Sequence, residues 1–286
     1  MPASYIIVNM HTSEWNRKKM VSELHILNGG FALKIWEKCR FQGTPLVWLE
    51  TYLEGPLPET EDLSLFRKTR AAFLAAFEET KEIGFERLCS HLQKMDDTLL
   101  NELPQRDVML WFDSCIFDQT LLMRILYLLH GQKSERRIFL YCSANNCLTA
   151  EDFREGALNR ICLTAEEVSN AACAWQFFQR RDAEGMKQLA REKKFDRMPA
   201  MEKALYRCAE DVPDREGLTR TQRQILQLAS EGEKSFNEIF RGLDTFEEYP
   251  FLGDTACQRL LDHLTSCGRL ICSAGRYTAA KSIKTP

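Results

Sequence analysis

The chain has 286 residues, 44% of them hydrophobic and 28% charged, with a formal net charge of −3. That length accommodates two ordinary domains with sizeable cores, and that balance excludes wholesale disorder. A charge so near neutral supplies no global basic field to collect nucleic acid.

Residues 1–23 read as an N-terminal extension, a short apolar patch "YIIV" followed by "HTSEWNRKKM". Either Met20 is the initiator and an upstream start adds the preceding stretch, or the arm is real and residues 5–8 add an edge strand. In the first case residues 1–19 are dispensable for stability. Four apolar residues fall short of the about 7–15 that a signal peptide needs, and no apolar run approaches the ~20 of a membrane span. A cytoplasmic protein with no membrane partner is expected.

From Leu24 strands alternate with helices. "LHIL" ends in Asn28-Gly29-Gly30 and leads into the helical spacing of "FALKIWEKCR"; "PLVWL" at 45–49 is a second buried strand. The loop "EGPLPE" excludes regular structure. Helices are predicted over 63–77 and 85–95, a third strand over 107–112, a helix over 117–129 and a fourth strand over 136–142. Apolar strands separated by helices give a parallel sheet covered on both faces, an α/β domain over 24–148.

Residues 149–216 read as a helical connector. Thr164 and Glu167 stand at capping-box spacing, and further helices are predicted over 182–193 and 199–210. The C-terminal domain, 217–286, repeats the capping device at Thr219/Gln222 and Ser235/Glu238, adds an amphipathic helix over 253–268, and ends in a hairpin turning at Ala274-Gly275. Three helices and a hairpin is winged-helix order, so this half is expected to be all-helical up to a winged-helix-like end. Over 217–286 there are nine Lys/Arg and eight Asp/Glu, a net of +1, and the would-be recognition helix carries Asp254 and Asp262 against one arginine, Arg259. DNA readers place several basic or amide groups there, so docking to the α/β domain or to a second subunit is expected in place of DNA binding.

In an open parallel sheet, ligands bind beyond the carboxyl ends of the strands. Three polar loops fall there: Asn28-Gly29-Gly30, the stretch from Glu50 to Glu54-Gly55-Pro56, and the stretch from Asp113 to Asp118-Gln119. Asn28, Glu54 and Asp118 are expected to line one cleft. Asn28-Gly29-Gly30 could cradle a phosphate on backbone N–H groups or be a tight strand-to-helix turn; the dinucleotide fingerprint is absent. Asp118 and Gln119 could cap a helix or touch a ligand. Cys115 stands between Asp113 and Asp118, which oppose the depressed pKa a nucleophile needs. The eleven cysteines include no C-x-x-C pair and the five histidines are scattered, so reduced thiols, no metal site and no cofactor are expected.

"LHILNGGFALKIW", "PLVWLETYLEGPLPE" and "VMLWFDSCIFDQTLLMRIL" resemble an uncharacterised bacterial family, domain of unknown function 1835; "GLTRTQRQILQLASEG" and "FLGDTACQRLLDHL" are similar to its companion, domain of unknown function 3658. The resemblance runs from about Leu24 to Leu270 and implies a fold without an activity. The pattern it implies reads N-G-D-S, D-x-x-H-E-G-P and W-F-x-H-D-x-F-D-Q at the three loops. This chain has Gly30-Phe31, Glu50 with Leu53, and Ser114-Cys115 at the changed positions, so most of any polar site of the relatives would be lost. A binding or regulatory protein for a small polar or phosphorylated ligand, or for a partner, is therefore expected. The alternatives are an enzyme on a phosphorylated or nucleotide-like substrate, with Glu50, Glu54, Asp113 and Asp118 as acids or bases, and a transcription-associated DNA binder.

Overall fold

Four short apolar strands, β1 (Leu24–Leu27), β2 (Thr44–Val47), β3 (Val108–Asp113) and β4 (Ile138–Ser143), pair in parallel, and β5 (Ile161–Cys162) adds antiparallel beside β4. The strand order is β2-β1-β3-β4-β5. The computed structural model describes residues 23–280 apart from 79, 102–105, 133–135 and 146. The expectations for Met20 and residues 5–8 fall outside the described residues.

Strand parity sorts the core into two layers, since successive side chains point to opposite faces. Leu27, Met109, Trp111 and Phe139 face helices α1 (Gly30–Cys39) and α5 (Ala150–Asn159), whose Trp36 and Phe153 complete that layer. Leu24, Ile26, Val108, Leu110, Phe112 and Leu140 face the opposite way. They share a core with α2 (Leu63–Leu74), α3 (Phe85–Leu100), α4 (Ile116–His130) and α6 (Ala165–Gln179). Helix α4 is buried nearly all round, because α6, α7 (Ala183–Arg191) and α8 (Pro199–Glu210) extend that core over its outer side. The second strand ends two residues earlier than expected: Trp48 N–H still reaches Leu27 O at 2.9 Å, after which the chain leaves the sheet. Both β5 and α5 lie in the segment the sequence marks as a connector, so the sheet and its cover reach past residue 148.

The C-terminal part consists of α9 (Arg220–Ser230), β6 (Lys234–Ser235), α10 (Phe236–Asp244), α11 (Asp254–Ser266), β7 (Leu270–Ser273) and β8 (Arg276–Ala279). It has a separate core that includes Ile225, Ile239, Leu261, Leu264 and Tyr277. The hairpin β7–β8 is joined by β6 into an antiparallel sheet of order β6-β8-β7, so this half is not all-helical up to a hairpin. Capping boxes form at Thr164/Glu167, Thr219/Gln222 and Ser235/Glu238. A fourth, at Thr149/Asp152, uses an aspartate in place of the glutamate or glutamine of the sequence pattern. Arg207 of α8 ties the two halves together: it binds Glu247 at 2.7 Å and Thr221 at 2.7 Å, with its guanidinium 3.7 Å from the Phe251 ring.

Candidate functional site

The chain leaves β1 toward β2 on one side, while β3 lies on the other. The gap between the carboxyl ends of β1 and β3 is therefore the point at which strand order reverses, where open sheets bind ligands. Asn28 follows β1 and Asp113 ends β3, so both stand at that gap.

Asn28 donates from Nδ2 to Asp118 Oδ2 at 2.6 Å and lies 3.4 Å from Asp113 Oδ2. Asp118 Oδ2 also accepts from the Asp113 N–H at 2.8 Å, and Asp113 Oδ1 accepts from the Cys115 N–H at 2.9 Å. Gln119 donates from Nε2 to the Asp113 carbonyl at 2.6 Å. Asp113, Asp118 and Gln119 are all buried. Burial raises the pKa of both carboxyls, and in Asp118, pushed well above the usual carboxylate range, the neighbouring Asp113 charge adds to it. Two acids in one dry space disfavour double ionisation.

Cys115 is the N-cap of α4, its Sγ accepting from the Asp118 N–H at 3.5 Å. Burial and the charges of Asp118 and Asp113 hold its thiol far above the ordinary range, so it lacks the thiolate character of a nucleophile. Cys142 nearby is pushed up to about 12, mainly by burial. Asp113, Cys115 and Asp118 bring potential ligand atoms within 4.8 Å of one another, a donor set that histidine and C-x-x-C spacings do not reveal. Asp118 Oδ2 and Asp113 Oδ1 are already engaged by backbone and Asn28 N–H groups.

Gly29 is the N-cap of α1 with extended backbone, and a Cβ at Gly29 or Gly30 would meet nothing within 4 Å. No close approach demands these glycines.

Glu50 and Glu54 each meet an arginine. Buried Arg70 of α2 binds Glu50 through Nη2 at 2.8 Å and also donates to the carbonyls of Thr51, Glu54 and Pro56, the last two at 2.8 and 3.1 Å. One guanidinium thus holds the whole 50–56 loop. Gly55 within it has φ 78°, and a Cβ there would lie 2.6 Å from the Phe73 ring, so both the left-handed backbone and the packing call for glycine. Glu54 pairs with Arg259 of α11 through two bonds of 2.9 and 2.7 Å, and Arg259 lies 3.9 Å from the Phe77 ring. The outward face of α11 is thus turned to the α/β sheet edge, as its composition suggests.

Between that edge and α11 lies a cavity of about 940 Å³. Its walls are mainly apolar and include Trp48, Leu53, Phe77, Phe117, Phe251 and Leu260. Asn28, Glu50 and Glu54 line it, together with Cys115. Asp118 does not; it sits beneath Asn28, bound to its amide. Asn28 and Glu54 therefore share the expected cleft, and Asp113, Asp118 and Gln119 form its underlying support. Sequence reasoning named Arg259 only as part of a docking helix, and missed Arg70 and the α3 pair Arg87 and His91, the last two of which also line the cavity. For Arg70 the signal was an arginine set in the apolar run "RAAFL".

No family model, curated protein or solved structure matches this chain. Among the described residues no helix is long and apolar enough to cross a membrane.

Proposed function

We propose that this chain is a binding protein that takes a ligand with a large apolar surface into the cavity between the sheet edge and the C-terminal part. The observation that carries this is the cavity itself: about 940 Å³, mainly apolar, at the strand-order reversal. Small-molecule sites occupy roughly 300–1,000 Å³, are largely apolar, and favour such edges. The walls favour a ligand with an apolar body over the small polar ligand expected from the loops. The C-terminal order of helix, strand, helix, helix and hairpin supports a winged-helix-like reading of that part, which forms one wall of the cavity through α11. The one arginine of that helix, Arg259, is engaged by Glu54, which favours docking and ligand response over DNA reading.

An acid–base enzyme finds some support in the raised pKa of Asp118, a trait of general acids. Yet its carboxyl is roofed by Asn28 and does not line the cavity, so the geometry favours binding.

The test is a fluorescence titration with Nile red, a neutral apolar probe, on the full chain and on Ala256→Trp and Thr255→Trp, which fill the cavity from α11. One saturable site in the parent chain, abolished by both variants, is the expected result. Binding untouched by either variant, in proteins whose circular dichroism matches the parent, overturns the proposal.

A further inference from the structure

We infer that the ligand of this cavity is an amphipathic anion, an apolar chain or ring system ending in a carboxylate or a phosphate; this rests on the cavity being the binding site. The argument is a balance of charge over the lining. Three acids line the cavity, Glu50, Glu54 and Asp211. Each meets a guanidinium: Arg70 on Glu50 at 2.8 Å, Arg259 on Glu54 at 2.7 Å, and Arg207, shared with Glu247, on Asp211 at 3.2 Å. Asp211 also accepts from the Thr221 hydroxyl and N–H at 2.7 and 2.9 Å. None of these carboxylates is left to attract a cationic ligand.

Apart from the Cys115 thiol, which burial keeps protonated, the remaining charged or ionisable groups of the lining are Arg87 and His91, one turn apart on α3 and both exposed. Among the described residues neither has an ion pair or a side-chain hydrogen bond. They are joined at the opening by Leu49 and Ile83, large apolar side chains that are 50% and 44% exposed and also line the cavity. A guanidinium beside apolar surface is the setting in which a charge-assisted bond to a carboxylate or phosphate gains most, because bound ligand displaces the water that would screen it. An apolar body placed against Trp48, Phe77 and Phe117 would bury the exposed Leu49 and Ile83 as well, with its acid head left at Arg87 in reach of solvent. A cationic head would meet Arg87 as a like charge, and a neutral one would leave its donors to water.

The experiment is displacement of Nile red from the full chain by decanoate, decyl phosphate, decanol and decyltrimethylammonium, repeated on Arg87→Glu. Decanoate or decyl phosphate should compete at least tenfold better than decanol, with the alkylammonium weakest, and the better of the two anions identifies the head group. Arg87→Glu, a change at an exposed position, should weaken the anions by roughly tenfold relative to decanol measured on the same variant, the scale of one bond to a charged group. Anions that compete no better than decanol, or that are unaffected by Arg87→Glu, overturn the inference while Nile red binding still stands. Nile red binding that survives Ala256→Trp removes the underlying site instead, so the two failures are told apart.

Discussion

Asp118 is ionisable where a neutral amide would cost less: it is buried beside a second buried acid, and both carboxyls have raised pKa values. A raised folded-state pKa gives stability that is present at low pH and lost as pH rises through that value. Asp118→Asn keeps an oxygen for Asn28 and the Asp113 N–H while removing the charge. Its melting temperature should exceed that of the parent by roughly 2–4 °C at pH 8, the scale of about 1 kcal/mol, and the gain should shrink at pH 5. A lower melting temperature at both values would contradict the burial argument. Arg70 has the opposite character: truncation to alanine strands Glu50 in the interior and frees the carbonyls of Thr51, Glu54 and Pro56. Breaking such a buried pair costs about 3–5 kcal/mol, so urea denaturation of Arg70→Ala should show a large loss, and a loss near zero would mean that the pair is not closed in solution.

His25 supplies a pH dependence of the other sign. Its Nε2 lies 3.1 Å from the Gln42 carbonyl and its Nδ1 accepts from Trp111 Nε1–H at 3.0 Å, which fixes a neutral ring, and burial lowers its pKa. A lowered folded-state value means that its stabilisation is complete above the ordinary 6.5 and is lost as pH falls below it. The difference in urea midpoint between the parent chain and His25→Gln should therefore narrow from pH 7.5 to 5.5; a constant difference would contradict the assignment. The sequence placed His25 in a strand and the acids at a strand end, because periodicity carries that information. It could not show that Asn28 bonds Asp118 across 90 positions, since that contact exists only after β1 and β3 pair.

Elements that obey local rules were legible and those fixed by tertiary contact were not. The capping boxes at Thr164, Thr219 and Ser235 form as spaced, because a cap is a property of four consecutive residues. The two-residue strands β5 and β6 have no periodicity to read and exist through their partners β4 and β8. Helix α5 escaped notice because its apolar stripe is short, yet it packs closely on the sheet: a Cβ at Gly156 would lie 2.4 Å from Trp111 and 2.7 Å from Tyr141. Overpacking of that kind costs about 1–3 kcal/mol, so Gly156→Ala should lower the urea midpoint clearly. An unchanged midpoint would show that α5 stands off from β3 and β4.

At the scale of the molecule, the cavity is the feature least legible in the sequence. Its walls come from the ends of β1 and β2, from α2 and α3, from the start of α4 and from residues 250–260, and no window of the chain holds more than a fragment. What was readable was the sheet edge, from the alternation of strands and helices, and the docking role of α11, from its poor basic charge. The Glu54–Arg259 pair joins these two sides. As a partly exposed bridge it adds little stability by itself, and its effect is to set where α11 stands over the opening. The most direct test is hydrogen–deuterium exchange of the full chain with and without saturating Nile red. Protection should appear together in residues 48–54 and in residues 250–260, since a ligand in the cavity touches both sides. Protection confined to one side, or absent from both, would contradict the central claim that the ligand site lies between them.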